Sequence, residues 1–378
     1  MLRRLCAVRS MDVATRVRMR LRADGSYTWP MPELPEVETI ARELRPLVLG
    51  ATIDGFWTDW PRAIKHPPDG RFGAEVVGRE ILDVSRRAKW LVLALSGDAV
   101  LAIQVKMTGQ VFVLPAGTPR DRHVHLVFSL ADGREMLIRD VRKFGRVGLY
   151  RRDEAGRVLG ADEARDLFDQ LGPEPLDDVF TVRRFRELIR GRRGRLKPLL
   201  MDQAFLAGVG NIYADEALWR ARLHPLRSAG SLRRDDERRL YLALRDVLAE
   251  GILRRGSSVD DYTAPGGDGE MQRYLNVYQR TGQPCGRCGR RIRRFVLGIR
   301  STHFCSWCQR LPAAEQTDAN RRMLRSATAT QRGRGPRWSE LPTGEGGVAG
   351  GRDEVRRVAE TDRETGGGSA AQPGPGAA

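Results

Sequence analysis

Cys285-Gly286-Arg287-Cys288 and, after sixteen intervening residues, Cys305-Ser306-Trp307-Cys308 form two Cys-x2-Cys knuckles late in this 378-residue chain. Four thiolates at this spacing can close a tetrahedron from both sides, which is the pattern of a structural zinc site. Four cysteine ligands leave no open position for water, so one structural Zn2+ is expected, held by Cys285, Cys288, Cys305 and Cys308. Phe304 and Trp307 are placed to pack beside it. The segment 285–311 also carries seven arginines and no acidic residue. Some of these balance the negative charge of a tetrathiolate zinc, and the others offer a surface to phosphates.

Upstream of the knuckles, from Phe180 to about Arg255, apolar residues recur at helical spacing, most clearly over 211–223 and 231–254. Gly208-Val209-Gly210 precedes Asn211, which reads as a helix start whose free backbone N–H groups suit an anion. The basic run Arg190, Arg192, Arg193, Arg195 and Lys197 lies close by, so a phosphate is the expected anion. Pro173-Glu174-Pro175 reads as a hinge. Before it, segments near 79–86, 89–95, 99–106, 109–114, 123–130 and 135–140 read as short strands. Ser96-Gly97-Asp98 and Asp132-Gly133 are turn signals between them, and the succession predicts an antiparallel sandwich or barrel. At the head of this region Val37, Ile40, Ala41 and Leu44 predict a helix that stops or kinks before Pro46.

The formal charge is +17, of which residues 31–311 hold +11. That excess in the part with regular patterning suits a polyanionic partner such as nucleic acid. Lysine is rare, at positions 65, 89, 106, 143 and 197 only, so a retained amine hints at a need for one, with surface drift the default reading for Lys65. No apolar run approaches the roughly 18–20 residues of a membrane span. Residues 1–30 are Arg-rich without hydrophobic period, and 312–378 are rich in Gly, Ala, Pro and mixed charge, which predicts a disordered tail.

Residues 31–40, Met31-Pro32-Glu33-Leu34-Pro35-Glu36-Val37-Glu38-Thr39-Ile40, resemble the start of the formamidopyrimidine-DNA glycosylases, which are similar to the endonuclease VIII group. Arg86-Arg87-Ala88-Lys89, Lys106-Met107-Thr108-Gly109, Arg142-Lys143-Phe144-Gly145, Gly208–Ala214 and the four cysteines follow in that family's order. The resemblance covers 31–311. It implies an α+β multidomain fold: an N-terminal antiparallel β-sandwich (32–165), a helical domain with a helix–two-turn–helix motif (173–265) and a C-terminal four-cysteine zinc hairpin (270–311). It implies a DNA glycosylase and abasic-site lyase acting on damaged double-stranded DNA, with Pro32 as Schiff-base nucleophile, Glu33 as acid/base and Lys89 as proton donor for β-elimination. Arg300 would contact phosphates and assist δ-elimination. Met107, Arg142 and Phe144 would enter the base stack, and His123, Arg192, Lys197 and Asn211 match DNA-contacting positions.

The chemistry needs an amine that is neutral near pH 7. A lysine side chain, with an ordinary pKa of about 10.4, is mostly protonated there, whereas an α-amino group near 8 is not. An internal proline nitrogen is a tertiary amide without such reactivity. Pro32 therefore acts only if the chain starts at Met31 and loses it, or if residues 1–31 are cleaved. A chain that keeps them is expected to bind DNA without catalysis. The family's usual Asp-Pro-Arg-Arg-Phe-Gly is replaced here by Asp140-Val141-Arg142-Lys143-Phe144-Gly145, and the loop 263–273 also departs from commoner versions. Leu34 and Glu38 follow the formamidopyrimidine type, which favours oxidised purines. An endonuclease VIII-like preference for oxidised pyrimidines is the alternative. A monomer in the bacterial cytoplasm is expected.

Overall fold

The computed structural model describes residues 32–68, 70–161, 165–257 and 267–329. The extension 1–31, the loop positions 258–266 and the segment 330–378 lie outside the described residues.

Helix α1 (Leu34–Val48) opens the fold. Ten strands follow: β1 (Ile53–Thr58), β2 (Ile64–His66), β3 (Ile81–Arg87), β4 (Trp90–Leu95), β5 (Ala99–Gln104), β6 (Gly109–Pro115), β7 (Val124–Leu130), β8 (Arg134–Asp140), β9 (Arg146–Arg152) and β10 (Val158–Leu159), with a short α2 (Phe72–Val76) between β2 and β3. They form two sheets, ordered β1-β7-β8-β6 and β10-β9-β5-β4-β3. Every pairing is antiparallel except β2, which joins β9 in parallel. The two inner faces meet in one core that contains Phe128, Ile138, Leu93 and Leu101, and α1 seals its end with Ile40, Leu44 and Val48. Full burial of each such side chain contributes about 2 kcal/mol. Strands β4 and β5 read as near-continuous apolar runs because their sheet is covered on both faces. Val92, Val100 and Ala102 pack outward against Tyr150 and Phe168.

The helical domain contains α3 (Val182–Ile189), α4 (Leu196–Met201), α5 (Asn211–Arg220) and α6 (Arg234–Leu253). Helices α4 and α5 are joined by turns over 202–210, the helix–two-turn–helix arrangement. Leu34, at the head of α1, belongs to this domain's core and not to the sandwich. Pro32 and Glu33 are thereby fixed where the two domains meet. The zinc hairpin follows as β11 (Arg293–Leu297) and β12 (Arg300–Phe304).

Three expectations are corrected. Helix α1 runs through Pro46 to Val48 instead of ending before it. Pro46 removes one helical N–H close to the helix end, and burial of Val48 outweighs that loss. Strands β1, β2, β9 and β10 were not anticipated: β1 is interrupted by Gly55 and β9 ends in exposed arginines. Disorder from 312 onward is also wrong in part, because α7 (Asp318–Ser326) and Thr328 pack on the zinc hairpin.

Candidate active site and nucleic-acid interface

Glu33 stands immediately before α1, yet its carboxylate is held by another helix. Its Oε1 accepts the Ile212 N–H at 2.9 Å and its Oε2 the Tyr213 N–H at 3.3 Å. Two N-terminal donors of α5, expected to await a phosphate, are therefore occupied by a protein carboxylate. Gly210, not Asn211, is the N-cap residue, and Asn211 is the first residue of the helix. A Cβ on Gly210 would lie 2.3 Å from the Glu33 Cδ, so only glycine allows this approach. Gly208 likewise presses against the Leu34 side chain at a positive φ of 83° and accepts the Leu34 N–H at 2.9 Å.

A second buried carboxylate stands behind the first. Glu36 accepts the Glu33 N–H at 2.9 Å, the Tyr213 hydroxyl at 2.7 Å and the Ser257 N–H at 2.8 Å. Burial pushes the Glu33 carboxyl up to about 7; Lys89 opposes this, Glu36 adds to it, and the two backbone N–H groups oppose it. Burial likewise raises Glu36 above the ordinary carboxylate range.

Lys89 lies in the turn between β3 and β4, and its Nζ donates to the Val209 carbonyl at 3.0 Å. Burial lowers its pKa and Glu33 opposes that. The turn is set from below by Glu174 of the hinge, which accepts from Arg86 Nη1 at 2.8 Å, Arg87 Nη1 at 2.9 Å and the Ala88 N–H at 2.6 Å. Arg86 also reaches Glu38 of α1 at 2.9 Å. Gln203 fixes the opposite wall, accepting the Gly208 N–H and donating to the Val209 carbonyl. The roles of Glu174, Gln203 and Glu36 were not foreseen from sequence. The Pro-Glu-Pro hinge was visible, but its carboxylate's destination was not.

Pro32, Glu33, Lys89, Asn211 and Arg300 line one cavity of about 210 Å³, together with Trp90, Gln104 and Lys106. Arg300 enters as the first residue of β12, beside the hairpin tip where Gly298 adopts a φ of 61° and Ile299 is 87% exposed. Lys197, expected on the DNA surface, is 1% exposed. It pairs with Asp215 of α5 at 2.7 Å and donates to the Ser301 carbonyl at 2.7 Å. Membership of a basic run misplaced it: it ties the helical domain to the residue after Arg300. Arg192 is exposed.

Met107, Arg142 and Phe144 come from two loops and meet. The Arg142 guanidinium lies 4.8 Å from the Phe144 ring centroid and 3.4 Å from the Met107 sulfur. Phe144 is 47% exposed. Buried Asp140 holds both loops: Oδ1 accepts the Thr108 hydroxyl at 2.5 Å and the Arg142 N–H at 3.2 Å, while Oδ2 accepts the Phe144 and Gly145 N–H groups at 2.9 and 2.7 Å. The His123 carbonyl accepts the Asp140 N–H at 2.8 Å, which places His123 beside the same loops. Partial burial and then Arg139 lower the His123 pKa, favouring a neutral ring.

The four cysteine sulfurs lie within 4.8 Å of one another. Cys285–Cys308 and Cys288–Cys305 sulfur distances are 3.9 and 3.5 Å, against about 3.8 Å for the edge of a tetrahedron with Zn–S bonds of about 2.3 Å. The set fits one structural zinc. The Trp219 indole N–H of α5 points at the Cys285 sulfur at 3.5 Å, joining the site to the helical domain. Exposed Trp307 does not pack inward; it is stacked between Arg290 and Arg310.

Three family models match in chain order: "Formamidopyrimidine-DNA glycosylase N-terminal domain" over residues 31–147, "Formamidopyrimidine-DNA glycosylase H2TH domain" over 171–263, and "Zinc finger found in FPG and IleRS" over 282–311. A formamidopyrimidine-DNA glycosylase of Roseiflexus sp. is 45% identical over 282 residues, 74% of this chain and 100% of that protein. This chain belongs to the formamidopyrimidine-DNA glycosylase family. One from Chloroflexus aurantiacus is 46% identical over 74% of this chain and 98% of its own length. Among solved structures, the FPG protein of Thermus thermophilus is 41% identical with a TM-score of 0.64, covering 74% of this chain and 98% of that one. A Lactococcus lactis FPG mutant bound to Fapy-dG-containing DNA is 35% identical with a TM-score of 0.68, covering 74% and 100%. As a member of this family the chain is a DNA glycosylase and abasic-site lyase. Among the described residues no helix is long and apolar enough to cross a membrane.

Proposed function

We propose that the chain excises oxidised purines from duplex DNA and cuts the resulting abasic site, with the free amine of Pro32 as nucleophile. One observation carries this reading: the adjacent Pro32 and Glu33 and the sequence-distant Lys89 and Arg300 line a single cavity at the meeting of the two domains and the hairpin.

The neutral Pro32 nitrogen attacks the sugar C1′ as the C1′–base bond breaks, and the departing base takes a proton. Glu33, with its pKa near 7, exists in both forms at neutral pH and serves as the acid and base beside that nitrogen. Loss of the amine proton and breaking of the C1′–O4′ bond, with O4′ taking a proton, open the sugar ring and leave an iminium at C1′ that makes the C2′ proton acidic. Its removal expels the 3′ phosphate, and a second elimination expels the 5′ phosphate. Lys89, brought by burial toward easier proton loss, supplies a proton in the first elimination, and Arg300 holds the phosphate in the second. Before this the base leaves the stack, and Met107, Arg142 and Phe144 fill its place. Zinc is structural and keeps Arg300's hairpin folded. His123, Arg192 and the Asn211 side chain face phosphates. The work is done on chromosomal DNA in the cytoplasm.

The oxidised-purine preference rests on Leu34 and Glu38; the Lactococcus lactis FPG has been solved with both Fapy-dG DNA and oxidised-pyrimidine DNA, so its complexes alone do not rank the two. The test is borohydride trapping on an 8-oxoguanine–cytosine duplex, comparing a chain that begins at Pro32 with all 378 residues. Trapping by the short form alone is expected. Equal trapping by both, with the extension intact by mass, would mean that another amine is the nucleophile. Faster release of thymine glycol than of 8-oxoguanine would favour the pyrimidine reading.

A further inference from the structure

The zinc-finger match ends at residue 311, and the whole-length match to the Roseiflexus relative spans only 74% of this chain. The described chain nevertheless continues to Ala329 and remains folded. A two-stranded hairpin is marginal by itself, and β11 presents one edge without a partner from β12. Residues 313–328 cover that edge. The Arg294 N–H donates to the Thr328 carbonyl at 2.8 Å and the Thr328 N–H to the Arg294 carbonyl at 2.9 Å, a single antiparallel bridge on the free edge of the hairpin. Arg293 Nη2 donates to the Ala327 carbonyl at 2.7 Å. Beneath, Phe295 and Phe304 pack with Met323, Leu324 and Ala327.

The same segment grips the helical domain. Asn320 is 6% exposed, and its Oδ1 accepts two N–H groups from Arg195, the N-cap of α4, at 2.9 and 3.2 Å. Its Nδ2 donates to the Glu315 carbonyl at 2.8 Å, and the Glu315 carboxylate accepts the Ser228 N–H at 2.5 Å. Two residues beyond Arg195, Lys197 holds the Ser301 carbonyl on the opposite strand of the hairpin. The hairpin is thus clamped to one short helix from both edges, by Lys197 on β12 and by residues 313–328 on β11.

We propose that residues 313–328 are a strap, specific to chains with this addition, that fixes the angle of the hairpin and so positions Arg300 in the cavity; Asn320 and Thr328 are positioning residues. The functional half of this inference rests on the role given to Arg300 above. The test uses the chain from Pro32 to Ala378 with Asn320→Ala, which removes the Arg195 acceptor, and Thr328→Pro, which removes the paired N–H. Hydrogen exchange at the β11 and β12 amides should rise in both while bound zinc stays at one per chain. On an abasic duplex, borohydride trapping should stay within twofold, whereas the doubly eliminated product should fall relative to the singly eliminated one by about fivefold, as expected for a displaced contact. Asn320→Asp, which still accepts from Arg195 but no longer donates to the Glu315 carbonyl, should restore part of the ratio. Unchanged exchange in both variants would overturn the strap. Trapping that falls in parallel with the product ratio would overturn positioning in favour of general support of the fold. An Arg300→Ala chain with an unaltered product ratio would instead sink the role given to Arg300, and exchange would still decide the strap.

Discussion

The Glu33 carboxylate and the Ile212 N–H, 179 residues apart, meet at 2.9 Å, so a residue at the head of one domain closes the first turn of a helix in the other. The positive end of α5 favours the ionised carboxylate. Burial with Glu36 close behind disfavours it and prevails, leaving Glu33 poised near neutrality.

The pH dependence follows from that balance. Protonated Glu33 is the form that can donate, so base release in single turnover should decline as pH rises through about 7. Glu33→Gln should abolish that limb and slow release by about 10²–10⁴-fold. Stability moves in the same sense. The folded pKa lies above the unfolded value, so the contribution of the bound proton is complete below about 4.5 and is lost as pH rises through about 7. Urea midpoints at pH 5 and 8 should therefore shift in favour of the Gln variant at the higher pH. A constant difference would mean that Glu33 does not titrate in this range.

Gly210→Ala should be far more harmful than its size implies. The new Cβ would sit 2.3 Å from the Glu33 Cδ, and the carboxylate must move to admit it. A displacement of about 1 Å at the reacting groups costs on the order of 100-fold in rate. Gly117→Ala, at a turn with φ of 78° and open space around it, serves as the comparison. It should lower stability slightly and leave the rate alone. Equal rates in the two variants would show that the Gly210 approach is not needed.

Much of this architecture was legible beforehand, for identifiable reasons. Cys285 to Cys308 announce their chemistry by spacing, and β4 to β8 by runs of Val, Leu and Ile between clear turns. What escaped depended on partners distant in sequence. Asn211 looked like a helix cap because nothing local reveals that Glu33 reaches the donors first. Lys197 looked like surface charge because its partner, Asp215, lies on the next helix. Strand β9 was hidden by its terminal arginines, and α7 by the low-complexity composition that begins just beyond it. The inserting role expected for Met107, Arg142 and Phe144 came only from motif context; the carboxylate that gathers them, Asp140, was quoted without a role.

Lys197→Met should destabilise the fold by about 3–5 kcal/mol, because it leaves the buried Asp215 carboxylate without its cation. Adding Asp215→Asn should recover part of that loss, measurable by urea unfolding. The slope of log affinity for DNA against log salt should not change, since a lost phosphate contact would reduce it by about 0.9 and the Lys197 amine is buried on Asp215 and Ser301. A reduced slope would restore Lys197 to the DNA surface.

Asp140→Asn keeps the size of the side chain but presents an NH2 group to one of the two pairs of donors that the carboxylate now accepts. Loss of those bonds removes about 1–3 kcal/mol of loop order. Affinity for a lesion duplex should fall about tenfold, with affinity for undamaged duplex unchanged, by fluorescence anisotropy. Equal losses on both duplexes would mean that Asp140 supports general binding and not insertion.

Four hydrogen bonds to one carboxylate also bear on how such a protein searches. With both loops fastened at their base, Met107, Arg142 and Phe144 form a stiff group; on the inserting role proposed for them, each trial insertion would have to deform the duplex because the protein yields little. A sound, well-stacked step resists and is passed over, while a weakened one gives way. The first discrimination between intact and damaged sequence is then made by the mechanical strength of the DNA itself, before any base has reached the cavity.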